Sequence, residues 1–249
     1  NLSRKKCFSD YLTSSYLLWR LQPDFKTFID LRDLDVFSPA FFSQYLYATS
    51  NPYAFHSLDS VYRFDYAVLY RQELPTLHKY LYNDSIYALT YLDAVAAVYQ
   101  KTDSFSRKDI FSMPSPPPIS SFAKFITGIL NPFYSSFVYK EVNYDIAAAT
   151  YYLSVNAFDL AEVRARKAME NKKNAFLGTE MLGRVFYSRA LQQRDSTNRN
   201  LFLDQSLGLF QTAQKEKQNY SPAYSGAGAV YLKQFRFKAA ANSFEKALQ

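Results

Sequence analysis

From about Asn143 onward, apolar and small residues return at helical spacing and the polar positions between them fall on the opposite face. The clearest stretch is Ser221 to Gln249. Tyr224, Gly228 and Tyr231 stand at i, i+4 and i+7, one face of a helix, and Ala240, Phe244 and Ala247 do the same on a second helix. The small residues Gly228 and Ala240 predict that the two backbones approach closely, with the aromatics filling the space beside them. The same pattern occurs twice upstream. Ala149, Tyr152, Ala161, Ala165 and Ala168 carry it in 142–174, and Leu182, Gly183, Phe186, Phe210 and Ala213 carry it in 176–219. Ala168 to Ala213 is 45 positions and Ala213 to Ala247 is 34. Gly183 to Ser206 spans 23 positions where Gly228 to Ala240 spans 12, so the middle pair holds 11 extra residues. They make either three more helical turns or a long loop, for which the polar run Gln192 to Arg199 is the natural place. Without them the stride returns to 34. Each helix pair leaves one apolar face uncovered, so the pairs of 142–174, 176–219 and 221–249 are expected to stack.

The first part of the chain has a different rhythm. Lys6 to Asp10 reads as a strand, Tyr11 to Leu21 as a helix stopped by Pro23, and Thr27 to Asp30 as a short buried strand. Ser38 to Ser60 is aromatic and helical in pieces, broken near Asn51 and Pro52. Tyr66 to Tyr70 is a second strand, Pro75 to Tyr82 a helix, and Ser85 to Leu92 and Ala94 to Lys101 two strands around a turn near Asp93. Strands alternating with helices predict a small α/β domain at 1–111, Rossmann-like, with a mostly parallel sheet and a terminal hairpin. Pro114 and Pro116 to Pro118 make 112–118 a semi-rigid connector. Short amphipathic helices, Ser120 to Leu130 and Phe133 to Glu141, are expected to cap the stack from 119–141.

Composition narrows the choice of function. Apolar residues make up 48% of the 249, enough for a core, and Phe and Tyr number 22 each. Glycine, at 6, is too scarce for phosphate-cradling loops, and no nucleophile elbow, P-loop or dinucleotide fingerprint occurs. A lone Cys7 excludes an internal disulfide and a multi-cysteine metal site and reads as a small half-buried hydrophobe. His56 and His78 lack a second ligand at metal spacing and read as surface or helix-packing residues; no cofactor is expected. No run of 18 apolar residues is present to span a bilayer. The first residue is Asn, which predicts a fragment of something longer. The net charge of +7 is uneven: 16 Lys and Arg against 10 Asp and Glu from Lys140 onward leave +6, and 13 against 12 before it leave +1. Acids lie between those cations, which predicts a solvated basic surface rather than a nucleic-acid track.

Two resemblances follow. Tyr224, Ala227-Gly228, Tyr231, Ala240, Phe244 and Ala247 resemble the consensus of the tetratricopeptide (TPR) repeat, in which Leu is preferred at the place of Ala227. That resemblance implies an all-α array following the α/β domain, and a concave groove lined by first helices that holds a peptide or protein partner. The positions it implies are Asn143, Thr150 and Ser154; Glu180, Arg184 and Tyr187; and Ser225 and Lys233. Glu180 and Arg184, at i and i+4, can equally pair with each other. Asp10-Tyr11, Ser15 to Arg20, Phe28-Ile29-Asp30-x-Arg32, Tyr66 to Leu69 and Ala88 to Asp93 resemble the soluble segment after the last membrane span of bacterial GT-C-type glycosyltransferase-like proteins. This implies the extracytoplasmic tail of a membrane protein, whose transferase chemistry belongs to its membrane part; a cytoplasmic chain is the alternative.

Asp30 and Arg32 form the most pointed polar cluster, at a strand end where open α/β sheets place ligand contacts. Either Arg32 closes the turn on Asp30, Asp33 or Asp35, or the pair meets a carbohydrate or lipid phosphate. The favoured expectation is a non-catalytic protein-interaction module. A domain recognising a sugar or polyprenyl phosphate and a nucleic-acid-binding helical repeat are its alternatives.

Overall fold

The computed structural model describes residues 5–21, 25–31, 36–102 and 144–249. Two compact units share the chain, Asn1–Lys140 and Glu141–Gln249. In the first, β1 (Cys7–Ser9), β2 (Tyr66–Tyr70), β3 (Tyr87–Leu92) and β4 (Ala96–Lys101) form a small mixed sheet in the order β1-β2-β4-β3. Around it lie α1 (Tyr11–Leu21), α2 (Pro39–Ser50), α3 (Pro52–Tyr62) and α4 (Pro75–Asn83). Proline opens three of these helices, where its missing N–H costs no hydrogen bond. Ser38 caps α2 by accepting from the Phe41 amide, and Asn51 caps α3 by accepting from Tyr53 and Ala54.

The expectation of a mostly parallel sheet is corrected here. Only β1 and β2 pair in parallel; β4 is antiparallel to both β2 and β3. The tight turn at Asp93 forces β4 back along β3, and β4 then enters between β3 and β2. β1, β2 and β3 share one direction, as alternating strands and helices suggest, but the hairpin partner separates the last two. The strand expected at Thr27 to Asp30 reduces to one parallel bridge, Thr27 to Cys7. Its neighbour Phe28 is held instead by rings: centroids of Phe41 and Tyr62 lie 4.8 Å away, Phe64 5.3 Å and Phe8 5.8 Å. Phe8, fully buried on β1, is the centre of this aromatic core and meets Phe55 edge-on at 5.1 Å. Cys7 beside it is fully rather than half buried, and burial pushes its thiol up to about 12. The connector at 112–118 and the capping helices expected at 119–141 lie outside the described residues.

The second unit is helical: α5 (Tyr144–Ser154), α6 (Phe158–Met169), α7 (Ala175–Gln192), α8 (Ser196–Glu216), α9 (Ser221–Lys233) and α10 (Phe237–Ala247). Each helix packs on the next, and α7 also touches α5 and α9. Ala149, Ala161, Ala165, Ala168, Ala213, Ala227 and Ala240 are all buried at these contacts. Gly228 faces the Phe244 ring across α9 and α10, and Gly183 faces Phe210 across α7 and α8. The Ser206 hydroxyl donates to the Gly183 carbonyl at 2.8 Å, closing the same contact.

The 11 extra residues are helical turns, not a loop. The turn at 193–195 is three residues long, as is that at 234–236. α7 runs nine residues past Gly183 where α9 runs five past Gly228, and α8 begins ten before Ser206 where α10 begins three before Ala240. The excess is four and seven, about one turn and two, so both faces stay in phase. Arg189, in the added turn of α7, ties it back to α6 through Asp159 and Glu162.

Phe210 also faces Gly226, where an added Cβ would lie 2.4 Å from the ring, whereas one on Gly208 would meet nothing within 4 Å. Gly226→Ala should therefore destabilise the protein by about 1–3 kcal/mol, and Gly208→Ala should stabilise it by about 0.5–1 kcal/mol. Denaturant midpoints of the two variants check both signs.

Candidate functional site

The candidate site is the face along α5, α7 and α9, which touch in that order, and its positions differ in what they offer. Thr150 and Ser154 turn their hydroxyls onto their own helix, donating to the carbonyls of Ile146 and Tyr151. Tyr187 is half-buried against the core of Leu203, Phe210 and Val230. Ser225 and Lys233 are exposed on α9, and Lys233 opens into a cavity at the α9–α10 turn. Asn143 lies outside the described residues.

Glu180 and Arg184 are brought together, with Arg184 Nε 4.0 Å from a Glu180 carboxylate oxygen. Their exposures differ: the Glu180 side chain is 7% exposed and that of Arg184 is 48%. Burial holds the Glu180 carboxyl above its ordinary range, against the smaller opposing pull of Arg184. Two residues that the periodicity did not single out complete the patch. Phe176, one turn before Glu180, meets Tyr220 edge-on at 4.9 Å, and burial followed by the Glu180 charge pushes the Tyr220 phenol up to about 12. Phe176 was within reach of the i, i+4 rule, but Tyr220 stands in the turn before α9, where helical spacing carries no information. The patch presents a half-exposed guanidinium over a buried carboxylate, flanked by an aromatic pair. Such a surface suits a polar peptide group with an apolar neighbour.

The sheet edge of the first unit behaves differently. Asp30 is buried, and Arg32, Asp33 and Asp35 lie outside the described residues. The polar groups that fill the edge are Asp10, Ser14, His78 and Tyr99, all within 1% exposure. Asp10, just after β1, accepts from the amides of Thr13 and Tyr70, which caps α1 and ties it to the end of β2. His78 Nε2 lies 3.0 Å from the Tyr70 carbonyl, which can only accept, so Nε2 carries the proton and Nδ1 accepts from the Tyr99 hydroxyl at 2.7 Å. These bonds join strand ends to α1 and α4, and the cluster is closed to solvent. His78 is thus a buried packing residue, and His56 is exposed.

Among the described residues no group of His, Cys, Asp and Glu is placed to hold a metal ion, and no helix is long and apolar enough to cross a membrane. Compared with known proteins, the chain matches no family model, no curated protein and no solved structure.

Two of the buried titratable groups, His78 and Glu180, have consequences in solution. Burial lowers the His78 pKa below its ordinary 6.5, so the unfolded chain takes up the proton first. Stability from this site is present above pH 6.5 and is lost as pH falls through it; thermal melts should show a smaller acid-side slope for His78→Gln. Glu180 has the opposite sign. Its folded pKa lies above the ordinary 4.5, so the folded chain holds the proton longer and stability falls as pH rises past 4.5. Glu180→Gln should raise the Tm at pH 7, with the difference shrinking by pH 4.

Proposed function

We propose that this chain is a protein-interaction module whose helical unit is a tetratricopeptide-type array, with α5, α7 and α9 lining the surface that holds a peptide or protein partner. The observation that carries this reading is the recurrence of one glycine-to-phenylalanine contact in two successive helix pairs. Gly183 against Phe210 and Gly228 against Phe244 are the same helix-pair contact, and the second helices keep a 34-residue spacing from Phe210 to Phe244. The turns repeat as well. Asn156 and Phe235, 79 residues apart, both take left-handed backbone, and each is followed by an amide that reaches back five residues, Ala157 to Tyr152 and Arg236 to Tyr231. Stacked pairs of this kind form extended binding faces. On the resemblance of its first hundred residues, the parent protein is proposed to be a bacterial membrane glycosyltransferase-like protein, with this chain an extracytoplasmic, non-catalytic tail that arranges partners beside it.

The test is a peptide-display selection on the full 249-residue chain, followed by amide exchange on the bound state. Protection should gather on α5, α7 and α9, and Arg184→Glu should weaken binding about tenfold. Protection confined to the first unit, or an affinity unmoved by that reversal, overturns the reading.

A further inference from the structure

The unequal lengths of the helix pairs build a second site. α7 and α8 run past the neighbouring α9–α10 turn, and the step between them encloses an open cavity of about 710 Å³. Its floor is Ala190 and Leu203, both buried, and its rim carries the exposed Leu191 and Phe235. Ala190, Leu191, Arg199 and Asn200 all belong to the added turns, so a pair of ordinary length would leave no such space. Gln234 docks the turn by donating to Asp204 Oδ1 at 2.7 Å, and Asp204 is the one carboxylate of a lining that also carries two cations, Arg199 and Lys233. Arg199 and Lys233 face the same space, and neither side chain has an ion-pair or hydrogen-bond partner among the described residues.

Phe235 is the second observation. It holds a φ of 59°, is 79% exposed, and closes a turn whose counterpart carries Asn156, a residue suited to that backbone. The turn that ends α9 fixes this backbone, and it presents the exposed Phe235 ring at the mouth of the cavity.

We propose that this cavity is a peptide-docking site apart from the Glu180–Arg184 patch, with Lys233 belonging to the cavity and not to the groove. Its occupant is a partner-protein segment in which a Leu or Phe side chain lies next to a carboxylate. The apolar side chain fills the space between Leu203, Leu191 and Phe235, and the carboxylate meets Arg199 and Lys233. The Asn200 amide offers a donor and an acceptor for the segment's backbone.

The full chain is titrated with fluorescein-labelled peptides carrying Asp-Leu or Glu-Phe, with Lys-Leu and Glu-Ser controls, and with inorganic phosphate and phosphatidylglycerol vesicles as competitors. The acidic apolar peptides should bind, and the Arg199→Glu/Lys233→Glu pair should weaken them about tenfold at low salt. Phe235→Asn separates binding from folding: relieving the backbone should raise the Tm while binding falls about tenfold. No binding at about 1 mM peptide, equal binding of the Lys-Leu control, or an affinity unmoved by Phe235→Asn overturns the proposal. Displacement by phosphate or vesicles at matched concentration reassigns the cavity to anions or lipid and overturns it too. Arg184→Glu lies in the Glu180–Arg184 patch and should leave this binding unchanged; a loss there places the peptide on that patch and overturns this site while leaving the reading of the array intact.

Discussion

The Phe210 ring lies where three helices converge, and only glycine at the facing positions lets them do so. Gly183 on α7 and Gly226 on α9 both face it, and an added Cβ would come within 2.9 Å and 2.4 Å of the ring. Close packing of this kind gains little per atom pair but is summed over a whole ring face, and it leaves no slack for a methyl group. The position of α9 against α7 follows from it. So does the placing of Tyr220 against Phe176 beside Glu180, and of the α9–α10 turn alongside the lengthened α8.

The middle helix pair shows how an insertion can be absorbed without disturbing a stack. Eleven residues are close to three whole helical turns, so the apolar stripes of α7 and α8 keep their phase. Arg189 then uses the extra turn to reach two carboxylates on α6. Burial alone would raise the Glu162 carboxyl, but hydrogen bonds from Arg166 and Arg189 outweigh it and hold it below the ordinary range. The overhang produced by the added length makes a step beside the α9–α10 turn, and that step is where the cavity lies.

The first unit solves a different problem with aromatic packing and a closed polar edge. Phe8, Phe28, Phe55 and Phe64 interlock at centroid distances of 5.1–6.3 Å. They anchor Thr27 to Asp30 by side chains where a ladder of backbone bonds was expected. The strand ends are held by Asp10 and His78, whose polar atoms are committed to backbone and to Tyr99. Sequence spacing pointed to Asp30 and Arg32 as the chemistry of this edge. Asp10 entered only as part of a strand and of a motif, because a capping carboxylate and a ligand-binding one look alike until their partners are known.

Local periodicity and punctuation were sufficient for most elements. Tyr11–Leu21 and Tyr66–Tyr70, the break at Asn51-Pro52 and the turn at Asp93 follow from residue patterns within a few positions of each other. The recurring small residues likewise determined which helix faces meet, because a backbone can approach another only where side chains are small. What depended on distant residues was decided by the tertiary structure alone. Strand order was one such feature, since β4 pairs with β2 across 30 residues and not only with its hairpin neighbour. The division of the eleven-residue insertion between two helices was another, because the spacing of Gly183 and Ser206 is the same for a loop or for turns. The bringing together of Arg199, Lys233 and Phe235 was a third: they lie on separate elements, and only the packing of α9 and its turn against α8 makes them neighbours.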